Sequence, residues 1–470
     1  MSDTALALTQ SMARFAVAAH DFPALARQRA RDAIADGVGC MLAGSREPLA
    51  APLLAATPSF AQASKEFPSL LMGLPRYASP ADAALRNGTV AHALDFDDTN
   101  HPAYAHPTAV VASALFAVAP LVKASGRDVI DAYVVGFEFF GKLGRALNTQ
   151  HYKRGWHTTG TFGALAAAAA AGRLLGLDEQ CMTMALGIAA SSASGLRASF
   201  GSMTKPLHAG QAARNGVLAA LLAREGFTAS AQAIEHRYGY VGVFNDGLAH
   251  DDAVLASLGE GLEILTEHGL ALKPYAACGA THPGIEAAEL LHAELRGRPI
   301  RSVRAGVCEM AFAPLIHVMP ASPLEGKFSL HFCVAAALLH GPVTLATFSE
   351  ERVNDRRVRA LIPKIDMVLD ERWRDDGEFA TEIAVELEDG TRLVRFVPLA
   401  QGKPARWFSA ERLHAKFSDC AGTVMSGEPL EAAWQALRRM DSPNGCEEVL
   451  RALAAVPVNS IRPGSIVTEG

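Results

Sequence analysis

From about residue 5 to 225, apolar positions recur at helical spacing, interrupted by short polar or glycine breaks. The pattern predicts helices over 5–19, 25–43, 80–94, 107–125, 129–147, 161–175, 181–192 and 208–225. Gly44-Ser45, Ser125-Gly126-Arg127-Asp128 and Gly226 supply the stops. Ser79-Pro80 and Asp128 supply helix starts. After residue 265 the period changes. Helices are expected at 285–296 and 329–339, with strands at 302–310, 365–369, 381–387 and 392–397. Asp389-Gly390 between the last two strands is a hairpin signal. Helical spacing returns at 410–421, 429–440 and 447–454, after a link at 402–407. These last helices either pack on the first domain or extend the second. The expected fold class is mainly α, with a large helical domain and a smaller α+β domain at 266–400.

Half the residues are hydrophobic and a fifth are charged, which provides a large core and excludes a disordered chain. Only 7% are aromatic, so alanine carries much of the apolar content and favours closely packed helices. The longest apolar runs, 109–122 and 164–171, fall short of the ~20 residues a bilayer span needs. The net charge of −6, without a Lys/Arg run, argues against nucleic acid and a membrane as partners. The seven cysteines show no Cys-x-x-Cys spacing, and Met-Ser-Asp-Thr-Ala lacks the features of a signal peptide. A reduced, cytoplasmic protein is the expectation.

Chemistry-capable side chains crowd two segments. Between His92 and His106, three histidines and three aspartates share fifteen positions. Helical spacing would put His92 and Asp95 one turn apart on a helix that ends near Asp97. His101 and His106 would follow on a loop. Acid–base work and a metal site are both open to such a set, and solvated acids on a capped helix are the bland alternative. No zinc motif matches, so no metal is assigned. In the second segment, Lys205 stands just before a Pro206-led helix with His208 in its first turn, a place suited to a carboxylate or phosphate. His157 with Thr158 and Thr159 precedes an Ala-rich helix, where a capped N-terminus is an equal reading. Lys273 and His282 fall near the expected domain junction. There is no Gly-x-Gly-x-x-Gly after a strand and no Gly-x-Ser-x-Gly, so no nucleotide cofactor or serine elbow is implied.

Four stretches together resemble the MmgE/PrpD family. They are His92-x-x-Asp95-Phe-Asp97-Asp98-Thr99 with His106-Pro107; Gly155-Trp156-His157 with Gly160-Thr161-Phe162-Gly163; Thr204-Lys205-Pro206-Leu207-His208-x-Gly210; and Lys273-Pro274-Tyr275 with His282. The resemblance covers nearly the whole chain in order. It implies a helical domain at 1–265 completed by 405–460, an α+β lid at 266–400, a homodimer, and no cofactor. It also implies a lyase, either decarboxylase or dehydratase, acting next to a carboxylate of a citrate- or aconitate-type di- or tricarboxylate. An epimerase of a dicarboxylate such as iminodisuccinate is the alternative, and an idle binding protein on the same fold a second. The 100–106 loop, Thr158 and Pro283 depart from the pattern of the decarboxylases and leave the substrate open.

By the same resemblance the catalytic set is Asp95, His106, His157, Lys205, Lys273 and His282, with Thr99, Lys205, Lys273 and His208 binding substrate. The implied chemistry is a carbanion next to a carboxylate. Lys205 and Lys273 would clamp carboxylates, and His106 would move the proton with His157 or His282 opposite. Asp95 would orient a neighbour and Thr99 would hydrogen-bond a carboxylate.

Overall fold

A computed structural model describes residues 7–246 and 251–456. Residues 5–6 of the first expected helix, residues 457–460 of the expected helical domain and the N-terminal pentapeptide lie outside the described residues. The fold is mainly α. It divides into two compact units, one reaching Leu272 and resuming at Ser409, the other Lys273–Phe408.

The larger unit is built from helices Leu8–Ala18, Ala24–Gly44, Pro80–Ala91, Pro107–Val122, Gly126–Leu147, Thr158–Leu174, Glu179–Ser192 and Thr204–Arg224, joined by Ala410–Ala421, Glu428–Arg438 and Gly445–Ala454. It is not purely helical, because Ser69–Leu70 pairs with Tyr77–Ala78 and Thr99–Asn100 pairs with Leu270–Ala271. Ser79 caps Pro80–Ala91 by accepting from the Asp82 N–H. Asp128 is not the cap expected of it. Ser125 caps that helix, and Asp128 closes a reciprocal capping box, so the helix starts at Gly126.

Small residues let the central helices meet at close range. A Cβ on Gly88 would lie 2.8 Å from the Gly210 Cα, so Pro80–Ala91 and Thr204–Arg224 pack nearly backbone to backbone. The run Ala166–Ala171 is fully buried in Thr158–Leu174. This packing brings the end of one helix (His92), the start of a second (Lys205, His208) and the N-cap of a third (His157) to one place.

The smaller unit holds a four-stranded sheet. Ile300–Val307 runs parallel to Ile365–Leu369 and antiparallel to Thr381–Leu387, which pairs antiparallel with Arg392–Val397. The hairpin closes at Asp389-Gly390, where Gly390 takes φ +81° and Asp389 Oδ1 accepts from the Thr391 N–H. Helix His282–Leu295 packs on the last two strands, and Leu330–His340 packs on that helix.

His151 of the larger unit is fully buried among Trp156, Phe162, Tyr240 and Phe244, with Nε2 2.8 Å from Thr161 Oγ1. Burial pushes it down to about 3, helped by the charge of Arg154. A histidine held neutral contributes stability that is complete above its unfolded value near 6.5 and is lost as the pH falls toward the folded value. Urea titrations should therefore show the wild type losing on the order of 2 kcal/mol more than His151→Phe between pH 6 and 4.5. Equal losses in the two proteins would show that this ring does not set the acid slope.

Candidate active site

The segment that carries most of the chemistry is a turn, not a helix end. Pro80–Ala91 stops at Ala91, with His92 as its C-cap. Asp95 then adopts the left-handed conformation, φ +53°, and its N–H donates to the His92 carbonyl. His92 and Asp95 therefore do not share a helix face as expected. The reversal instead folds Asp97 back onto His92.

Asp97 is fully buried, and both its oxygens lie within 3.1 Å of His92 Nδ1. Its Oδ2 is also 3.4 Å from His106 Nδ1. Burial disfavours the Asp97 charge, but the two facing rings outweigh it and hold the carboxyl well below its usual range. Burial pushes His92 down to about 4 against the pull of Asp97, so this ring is neutral at pH 7. Asp98 is equally buried, and its Oδ1 accepts from the Thr108 N–H. Burial and the Asp97 charge push it well above a normal carboxyl, which favours its uncharged form. Neither aspartate is the solvated group of the bland alternative.

The 100–105 loop closes on itself through paired Asn100 and Ala105 backbone bonds and the Asn100 side chain on the Ala103 N–H. His106 returns beside its own segment, its N–H bonded to Thr159 Oγ1 and its ring 4.2 Å from that of His92. Opposite stands Lys205, whose Nζ donates to Asp95 Oδ1 at 2.9 Å. The same oxygen is 3.7 Å from His106 Nε2. Burial works against the Lys205 charge, but Asp95 more than offsets it and raises the pKa, so the ammonium persists. Helix Thr204–Arg224 begins two residues before Pro206, which its first turn tolerates, so Lys205 is inside the helix rather than ahead of it.

His157 caps Thr158–Leu174, and its Nδ1 is 3.0 Å from His208 Nδ1, so one ring donates and the other accepts. Burial and the neighbouring charges lower both pKa values. The His92 and His157 rings lie 6.1 Å apart, so His106, His92, His157 and His208 form a row. The Phe200 ring lies 5.3 Å from Lys205 Nζ and edge-on to His157. Thr99 is half-buried in the ladder opposite Ala271. In the smaller unit, Lys273 is buried near its start, and buried His282 begins a helix and donates from Nε2 to the Ala277 carbonyl.

The structure thus brings Asp95, His106, His157, Lys205 and His208 together, and adds His92, Asp97 and Phe200, which the sequence reading did not assign. One donor atom from each of His92, Asp95, Asp97 and His106 falls within 4.8 Å of the others. Lys205 already balances Asp95, and two imidazoles already face Asp97, so a cation at this cluster would have to displace Lys205. The arrangement presents a fixed ammonium beside an imidazole whose far nitrogen faces a buried carboxylate. It can bind a carboxylate and move a proton near it.

Residues 10–251 match the MmgE/PrpD N-terminal domain and residues 275–441 the MmgE/PrpD C-terminal domain. The chain is 32% identical over 439 residues to a cis-aconitate decarboxylase of Aspergillus terreus, covering 87% of each protein. It is 30% identical over 389 residues to the cis-aconitate decarboxylase of Homo sapiens, covering 80% of each. A cis-aconitate decarboxylase-like protein of Aspergillus oryzae is 28% identical over 460 residues, covering 92% of this chain and 94% of the relative.

Proposed function

The chain belongs to the MmgE/PrpD family, and from that membership we propose that it is a carboxy-lyase of small tricarboxylates, with cis-aconitate as its substrate. The observation that carries this reading is the Lys205–Asp95–His106–Asp97 constellation: a cation for a carboxylate, next to an imidazole oriented from behind by a buried charge.

The reaction balances as one CO2 out and one proton in. The C–C bond to the carboxymethyl carboxylate breaks, and its electron pair becomes a new terminal C=C bond. The former alkene pair moves to the carbon next to the far carboxylate, and a proton joins that carbon. Lys205 stabilises the negative charge that develops on the far carboxylate, exchanging Asp95 for substrate. His106 delivers the proton from Nε2, because Nδ1 faces Asp97. His157 and His208 line the neighbouring wall. Thr99, Lys273 and His282 are included in the set on the family resemblance, the lysine as a second carboxylate-binding cation. The chemistry needs neither an electron acceptor nor a metal. A cytoplasmic homodimer completes the proposal.

Proton NMR in deuterated water tests it. The expected result is loss of cis-aconitate with a matching yield of CO2 and a terminal alkene bearing one deuterium on the new methylene. EDTA treatment should leave the rate unchanged. Deuterium replacing a C–H proton of iminodisuccinate with every C–C and C–N bond intact would replace the lyase by an epimerase. No change with cis-aconitate, citrate, methylcitrate or iminodisuccinate would sink the reading.

A further inference from the structure

Behind the site turn lies a buried ion pair outside the motifs that carry the family resemblance. Lys416 sits in helix Ala410–Ala421 and Asp36 in helix Ala24–Gly44, 3% and 2% exposed. The Lys416 Nζ is 2.6 Å from Asp36 Oδ1, donates to the Phe96 carbonyl at 2.8 Å, and stands 4.0 Å over the Phe96 ring. Phe96 is the residue between Asp95 and Asp97. A buried ion pair is seldom more stabilising than the apolar pair that could replace it, so its retention at this spot calls for another reason. The carbonyl it grips belongs to the residue that follows left-handed Asp95 in the site turn. Beyond Asp97, the turn is pinned by Asp98 on the Thr108 N–H, with Thr108 Oγ1 bonded in turn to Tyr133.

We infer that Lys416, its charge balanced by Asp36, is a positioning residue that fixes the Phe96 carbonyl and so aims Asp95 at Lys205 and Asp97 at His92 and His106. The kinetic consequence rests on the proposed lyase reaction; the structural consequence does not.

Three full-length variants separate positioning from stability. Asp36→Asn leaves a lysine amine that still donates to Phe96, so kcat should stay within threefold while the melting temperature falls. Lys416→Met removes the donor, and kcat should fall by about 30- to 100-fold with KM little changed, as expected for misplacement on the order of 1 Å. The double variant Lys416→Met/Asp36→Asn has no unpaired buried charge. It should recover the melting temperature and leave kcat low. Hydrogen–deuterium exchange of a peptide spanning 92–100 should accelerate several-fold in the double variant and not in Asp36→Asn. Recovery of kcat together with stability in the double variant, or unchanged exchange over 92–100, would overturn the inference. If the wild type turns over none of the carboxylates tested, the lyase reading fails and the exchange result alone decides this one.

Discussion

Replacing Lys205 with methionine is expected to lower kcat/KM for cis-aconitate by about 10³-fold and to leave the melting temperature within a few degrees. The two effects separate because the lysine's partner is itself part of the site. Lys205 and Asp95 are mostly buried but keep 22% and 26% of their side-chain surface, so desolvation offsets much of the pair's attraction and water still reaches Asp95 when the ammonium is removed. In the reaction the same ammonium meets a carboxylate that gains charge as CO2 leaves, so its value lies in the transition state rather than in the folded chain. Lys205→Arg should rescue only part of the loss, because a planar fork cannot occupy the place of a compact ammonium between Asp95 and the Phe200 ring. Steady-state kinetics with a thermal melt checks both halves. A loss under tenfold for Lys205→Met would remove the lysine from the transition state and leave it a surface contact.

The helices that carry the site were legible because their apolar period and their stops are local signals. The Ala-rich stretch beside His157 read as buried helix, and Thr158–Leu174 is one. Strands Ile365–Leu369, Thr381–Leu387 and Arg392–Val397 fall where their alternation and the Asp389-Gly390 turn placed them. The membership of Asp95, His106, His157, Lys205 and His208 in one group was also foreseen, though through the resemblance rather than through spacing.

What was not legible depends on partners distant in sequence. His92 and Asp95 have helical spacing, and nothing within the segment says that Asp95 turns left-handed. The restraints on that turn come from Lys416, far along the chain, and from Thr108 on the next helix. For Asp97 beside Asp98, the segment leaves acid–base work and a solvated pair of acids both open. Only the fold shows that two imidazoles hold the first carboxyl low while burial and that charge push the second up. The His157–His208 bond likewise needs two helices that meet through glycine and alanine rather than through any polar pattern. Phe200 carries no local signal at all, because its role is a distance to Lys205 and an angle to His157.

The second large effect is expected at Asp97. Asparagine preserves its shape but replaces one acceptor oxygen by an N–H donor and removes the charge. His92 Nδ1, now donating to both carboxylate oxygens, would keep one acceptor, and His106 Nδ1 would lose the carboxylate it faces at 3.4 Å. The imidazolium that must form if His106 is to give up a proton would then have no buried counter-charge. A fall in kcat on the order of 10³-fold is expected, with a stability loss of about 2 kcal/mol for weakening the hydrogen bond that neutral His92 gives to a buried charged group. The linkage sign gives a second handle. A carboxyl held below its unfolded value near 3.8 stabilises the protein above that pH, and the contribution is lost as the pH falls through the unfolded value and toward the folded one. Urea titrations should therefore show wild type and Asp97→Asn converging in stability below pH 4 and diverging fully by pH 5. His92→Asn supplies the contrast: it removes the other ring that faces Asp97 and leaves the His106–Asp97 pair in place, so its kcat should fall less than that of Asp97→Asn. If the two variants lose kcat equally, the acid acts through His92 and the row of rings behind it, and the proton donor has to be sought at His157 rather than at His106.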